Sequence, residues 1–206
     1  MDIVSYFKDG GAFMYPILLV FLIGLVFVIE RLIFLIKSTA TKESFAIDIA
    51  NTISSKGGKK ALEACKGAVG PIATLCNVAA TESNHGPEAV EKALDQSGNM
   101  EMANMEKNMT WIALAIAVAP MLGFLGTVVG MVEAFEVIAN SDDINAGDVA
   151  GGISKALLTT AFGLICAVVL QMLQNGVMYI IDNIVVGMQK SSLALIKSVE
   201  TKVAKK

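Results

Sequence analysis

The sequence predicts an all-α membrane protein: three transmembrane helices with long cytoplasmic helical extensions, the N-terminus outside and the C-terminus inside. Composition is the first ground. Of 206 residues, 54% are hydrophobic and 17% charged, and the mean hydropathy of +0.63 is above what a soluble domain of this size shows. The second ground is three uncharged runs, residues 14–29, 111–132 and 156–181, holding 16, 22 and 26 residues. The middle run makes about 33 Å of helix against a hydrocarbon core of roughly 30 Å, so it spans, and the last is long enough to tilt. The third ground is charge placement. With the N-terminus outside, 14 of the 16 Lys and Arg fall in the loop between the first two spans or in the C-terminal tail, leaving only Lys8 and Lys155 outside. The positive-inside rule therefore sets the orientation.

Residues 1–12 are too short for a domain. Ile3, Val4 and Phe7 suit a short helix on the outer interface, with Gly10 and Gly11 as the bend into the membrane. Residues 13–36 make the first span. Its apolar run is interrupted by Glu30-Arg31 and resumes with "LIFLI", which places the pair at an interface with Arg31 snorkelling; no small-residue cleavage site follows, so this is an uncleaved span and not a signal peptide. Residues 37–110 form a cytoplasmic helical region in which "TKESFAIDIANTISS", "GGKKALEACKG" and "GPIATLCNVAATES" read as three short helices. From Pro87 onward the spacing of Val90, Ala93, Leu94, Ser97, Met102, Met105 and Met109 predicts one long helix feeding directly into the second span, 111–137. A short outer loop, 138–154, carries Asp142, Asp143 and Asp148 and no base. The third span, 155–181, continues as a cytoplasmic C-terminal helix, 182–206, with Ile184, Met188, Leu195 and Val199 on one side. These apolar faces need partners, and neighbouring copies of the chain are the natural supply.

Several function classes drop out. Cys65 and Cys76 lie in the cytoplasmic region and Cys166 inside a span, so disulfides are not expected, and His85 as the only histidine leaves too few ligands for a metal centre. No nucleophile and base stand in a pattern that an intramembrane enzyme would need, so the chain reads as a non-enzyme without cofactor. No "GK[ST]" follows the glycines of the second span, and a net charge of −3 gives nucleic-acid binding no support.

The middle of the second span, "APMLGFLGTVVGMVEAF", holds more than a lipid anchor requires. Gly126 and Gly130 make a small-xxx-small step with Gly123 one turn earlier, Pro120 removes a backbone hydrogen bond, and Thr127 sits between the glycines. In the third span Ala156, Thr160, Gly163 and Ala167 form a matching narrow stripe with Thr160 as its polar member. Two readings stay open on spacing alone. Such faces commonly do nothing but pack helices, with threonine bonding its own preceding carbonyl, or they line a close-packed passage. The same choice, interhelical hydrogen bonder or ion ligand, holds for Gln171, Gln174 and Asn175. Glu133 and Glu136, near the outer end of the second span, are either solvated charges or gatherers of cations. No carboxylate stands in the middle of any span. A proton path would need a titratable group brought by another chain.

Together with "GGISKALLTTAFGL", "GGAFMYPILL" and "IERLIFL", that motif resembles the MotA/TolQ/ExbB proton-channel family, nearest to its ExbB and TolQ branch, over nearly the whole chain. The resemblance implies a homopentamer in the bacterial inner membrane, an ion-channel subunit enclosing a dimer of a single-span ExbD/TolR-like partner. That partner supplies a membrane aspartate, and flow of H+, or of Na+, drives envelope work through a TonB-like or other effector. Carried onto this sequence, the pore-facing threonines are Thr127 and Thr160; apart from the resemblance, Thr159 beside Thr160 adds an oxygen ligand, which is what leaves Na+ open. Pro120, Gly123, Gly126 and Gly130 match the second-span motif, Ala156 and Gly163 belong to the facing stripe, and Asn175 matches an asparagine late in the third span. Three residues depart from the pattern. Lys155 stands where a glutamate is usual, Val169 replaces a proline and Gln174 a tyrosine. Lys155, Glu133 and Glu136 are thus candidate gating charges, and the expectation is that Lys155 pairs with the acidic loop or with one of those glutamates. The rival function is a non-conducting membrane scaffold.

Overall fold

The structure, a computed structural model, describes residues 3–39, 41–140 and 146–204. Every regular element among them is helical: α1 (Ile3–Asp9), α2 (Met14–Ser38), α3 (Glu43–Lys56), α4 (Gly58–Ala64), α5 (Pro71–Glu82), α6 (Pro87–Glu106), α7 (Met109–Asn140) and α8 (Ala146–Ala204). The all-α class with three long apolar helices is as the sequence predicts. α2, α7 and α8 lie in segments long and apolar enough to cross a membrane, which makes this a multi-pass membrane protein. The chain divides into two compact units, one of Met1–Ile29 with Asn108–Gly176, the other of Glu30–Lys107 with Val177–Lys206.

In the first unit, α1, the start of α2, α7 and most of α8 share an apolar core. Ile17, Ala119 and Cys166 are buried at its centre, with Val20, Phe21, Leu122 and Phe162 packed around them. Gly24 lets α2 come close: a Cβ there would lie 2.8 Å from Leu170 Cδ1 and 3.1 Å from Ala115 Cβ. The Phe7 ring anchors α1 edge-on to Tyr15 and Phe162, at 5.4 and 5.7 Å, and Gly11 at φ +74° makes the turn into α2. Phe27 stacks on Trp111 at 6.0 Å. The outward faces stay apolar, with Leu19, Val26, Phe124, Val128, Ile165 and Met172 exposed, as suits lipid or another subunit.

One difference from the sequence reading falls here. Residues 146–154, expected as loop, are the first turns of α8. A Cβ on Gly152 would lie 3.0 Å from Ala134 Cβ, so this glycine serves helix packing. Asp142 and Asp143, and the side chains of Ile3, Val4 and Asp148, lie outside the described residues.

The second unit is a small helical body. α3 buries Ala46, Ile49, Ala50 and Ile53, a 3.6-residue stripe, and ends where Gly57 at φ +82° turns its N–H back to the Thr52 and Ile53 carbonyls. Pro71 and Pro87 open α5 and α6, where a missing N–H costs nothing. Against these pack Ile181, Met188, Leu195 and Val199 of α8, all buried. That overturns the expectation that this face awaits a neighbouring copy: α8 finds cover within its own chain.

Two further expectations are corrected. Arg31 does not snorkel. It is 3% exposed, and its guanidinium donates to the Glu30 carboxylate and to the Asn104 carbonyl at 3.0 Å, and lies 4.7 Å over the Phe34 ring. The long helix from Pro87 into the second span is interrupted instead of continuous. Lys107 is extended at ψ 139° and Asn108 is left-handed at φ 66°, a conformation asparagine tolerates better than most residues. The break strands the last α6 carbonyls, and Arg31 caps one of them.

Burial pushes the Cys76 thiol up to about 12, helped by nearby Cys65, whose own thiol burial also raises. A raised folded value favours the folded state fully below the ordinary value of 9.0 and less as pH climbs toward about 12, because the unfolded chain ionises first. The thermal midpoint of the detergent-solubilised protein should therefore fall more between about pH 8 and about pH 10.5 than that of Cys76→Ala. Parallel curves would mean that this thiol carries no linkage.

Candidate functional site

The small residues of the two stripes, with Thr159 and Thr160, converge where α7 meets α8 within the first unit. Gly123, Gly126 and Gly130 are buried along α7 and face Ala156, Thr159 and Gly163, also buried, along α8. There is no room for side chains at this seam. A Cβ on Gly123 would lie 2.8 Å from the Thr159 carbonyl, on Gly126 2.5 Å from Thr159 Oγ1, on Gly130 2.9 Å from Ala156 Cβ, and on Gly163 2.6 Å from the Ala119 carbonyl. Without a hydrophobic drive between helices in lipid, such backbone proximity is what holds two of them together. The packing reading of the small stripes thus holds for these faces.

The threonines divide by position. Thr159 is 2% exposed and wedged in the seam; its hydroxyl lies 2.7 Å from the Ala156 carbonyl of its own helix and 3.2 Å from the Gly123 carbonyl, so its single proton goes to the nearer acceptor. Thr160 is half-buried at the seam's edge and donates across it to the Gly123 carbonyl at 2.9 Å. Thr127, also half-buried, donates to the Phe124 carbonyl at 2.6 Å. Both edge hydroxyls have spent their protons on carbonyls. What each still presents is an acceptor oxygen.

Pro120 is half-buried in α7, where it cannot donate to the Ile116 carbonyl. Asn175 is exposed, and its Oδ1 accepts from Gln171 Nε2 at 3.0 Å, one turn earlier on the same helix. Lys155 Nζ stands 3.7 Å from Glu133 Oε2, and its aliphatic stem lies against Gly11. Five residues before Thr160, it projects about 140° away from that threonine around α8. Glu136 is exposed and takes no part in the pair, though its backbone carbonyl accepts from Asn140 Nδ2 at 3.0 Å. Gln171 is the residue that spacing undervalued: a polar side chain exposed deep in an apolar helix.

This arrangement defines a helical membrane protein with a glycine-sealed helix pair edged by hydroxyl oxygens. The chain belongs to the MotA/TolQ/ExbB proton channel family, which it matches over residues 52–190. It is similar to the putative biopolymer transport protein ExbB homolog of Methanothermobacter thermautotrophicus, 30% identical over 185 residues that cover 88% of this chain and 64% of that protein. It also resembles ExbB-like protein 1 of Synechocystis, at 28% identity over 81% of this chain and 66% of the relative, and the Tol-Pal system protein TolQ of Haemophilus influenzae, at 33% over 43% and 41%. The matched stretch spans just under two thirds of the length of the first two relatives.

Gly126→Val forces a branched side chain onto Thr159 and should lower the thermal midpoint by several degrees or prevent folding, whereas Val128→Ala on the exposed face should not. Equal midpoints would deny the seam. Lys155→Gln removes only an exposed pair, worth roughly 0.2–1 kcal/mol, so the folded yield and midpoint should stay near wild type. A collapse in yield would show that the lysine is a structural post.

Proposed function

We propose that this chain is the ion-conducting subunit of a proton-motive-force-driven machine in the bacterial inner membrane, its N-terminus outside and its C-terminus in the cytoplasm. Five copies enclose two copies of a single-span partner of ExbD/TolR type, and the complex transmits energy to envelope processes such as TonB-dependent transport. The observation that carries the reading is the state of Thr127 and Thr160. Residues 111–132 and 156–181 contain no carboxylate and no base, only the thiol of Cys166 and the phenol of Tyr179, so the crossing carboxyl must come from the partner. A carboxyl crosses a low-dielectric region neutral, as an acid, and an acid has an O–H to donate. Oxygens whose own protons are committed favour that neutral form.

The same geometry supports protons over sodium. Thr159, which would have added an oxygen ligand beside Thr160, is enclosed in the seam with its proton bonded to the Ala156 carbonyl. A sodium ion wants several converging oxygens, and the edge of the seam offers few. Lys155, paired with Glu133 and turned away from Thr160, acts as a passive surface charge in this scheme. The apolar outward faces of the first unit, with Phe124, Val128, Ile165 and Met172 exposed, are surfaces that copies can share, and the second unit adds exposed Val186 and Leu193 on α8.

Vesicles carrying the chain with a single-span partner should acidify under an imposed potential in sodium-free buffer. Thr160→Ser should retain the flux, because it keeps the hydroxyl, and Thr160→Val and Thr127→Val should lower it at least tenfold while the complex still assembles. An assembled complex without flux in the wild type would make the chain a scaffold instead.

A further inference from the structure

Gln171 poses a problem of depth. The uncharged run 156–181 makes about 39 Å of helix, and wherever a hydrocarbon core of roughly 30 Å falls along it, Gln171 lies inside. Asn175 lies inside as well. Both side chains are exposed on α8, and the 3.0 Å bond between them uses one N–H and one oxygen. Three N–H donors and the Gln171 oxygen remain without partners in the structure. Lipid tails offer none, so these amides cannot face lipid without a penalty that a leucine would avoid.

Helical geometry says where they do point. Eleven residues separate Thr160 from Gln171, which is about 20° around the axis and roughly 16 Å along it, so the two share one edge of α8; Asn175 is about 60° from Thr160. Val169 lies about 180° from Thr160 and Ile165 about 140°, both on the apolar side. The polar edge adjoins the α7–α8 seam, and the lipid-suited face lies opposite.

We infer that the edge of α8 bearing Thr160, Gln171 and Asn175 faces a water-containing interior of the assembled complex, where the Gln171–Asn175 pair forms a second hydrogen-bonding station along the ion path. Amides do not titrate near neutral pH, so the pair holds no proton. It orders water, donating and accepting at once, and thereby extends the path by water from the threonine oxygens toward the C-terminal end of the span. The inference rests on the reading that the assembled chain conducts, and it adds the residues that keep this half of the path wet.

The test is chemical accessibility in the complete complex with its partner, in vesicles. The three native thiols are buried and serve as the blank. Gln171→Cys and Asn175→Cys should react with a charged, water-soluble methanethiosulfonate at least tenfold faster than Ile165→Cys and Val169→Cys. Equal rates at all four positions, or reaction only at 165 and 169, would overturn the inference. Gln171→Leu, which a lipid-facing site would welcome, should assemble normally and lose at least tenfold in proton flux, with Gln171→Asn retaining most of it. Leucine conducting like wild type would also overturn it. Labelling needs no flux, so a reactive position 171 in a complex that never conducts would sink the proton-path reading and leave the wet face standing.

Discussion

Everything in the spanning unit depends on how closely α7 approaches α8. Glycine at 123, 126 and 130 on one helix, and Ala156 and Gly163 on the other, bring backbone within reach of backbone. Lipid supplies no hydrophobic pressure between helices, so contact area and interhelical hydrogen bonds must do the holding. The closeness also decides chemistry. Only because Gly123 has no side chain can Thr160 reach its carbonyl at 2.9 Å, and that bond turns the threonine into an oriented acceptor at the edge of the seam. Thr159, one position earlier, is swallowed by the same contact. Packing and pathway are therefore not competing accounts of the small stripes: the buried face packs, and its edge is left to interact.

The second unit shows a different economy. Its helices are short, amphipathic and closed off by glycine turns, and α8 completes their core with Ile181, Met188, Leu195 and Val199. Self-sufficiency on this face leaves the case for oligomerisation to other apolar surfaces, such as Phe124 and Met172 of the first unit and Val186 and Leu193 of α8. The buried Arg31 and the left-handed Asn108 belong together in cause: a helix that stops at Glu106 leaves carbonyls unpaired, and a guanidinium held by Glu30 and Phe34 serves the Asn104 carbonyl.

Periodicity made the helices legible, because apolar stripes at 3.6-residue spacing and glycine or proline at their ends are local signals. Most of the candidate site was legible too, as motif. What the sequence could not give was angle. Ala156, Thr160, Gly163 and Ala167 look like one stripe in spacing, yet the seam is centred on the side toward Thr159, which lies about 100° from Thr160, because the α7 backbone sets where contact falls. The interruption at Lys107-Asn108 left no mark in a pattern where Met102, Met105 and Met109 keep helical spacing through it. Arg31 looked like a snorkelling cation because its acceptor, a main-chain carbonyl 73 residues away, has no signature in side-chain pattern. The segment 146–154 looked like outer loop for the opposite reason: its acidic, base-free composition says nothing of the close approach of Gly152 to Ala134. Lys155 fared better, since the charge of Glu133 one helix away was within the range its position allowed.

The central claim is that threonine oxygens at the edge of the seam favour the neutral form of a carboxyl brought by a partner. The most direct measurement is the infrared titration of that partner's isotope-labelled membrane aspartate within the assembled complex. The account predicts a carboxyl still protonated at neutral pH, well above the ordinary aspartate value of about 3.9, and titrating lower when Thr160→Val removes the acceptor. An aspartate that ionises in its ordinary range, with or without the Thr160 hydroxyl, would contradict it.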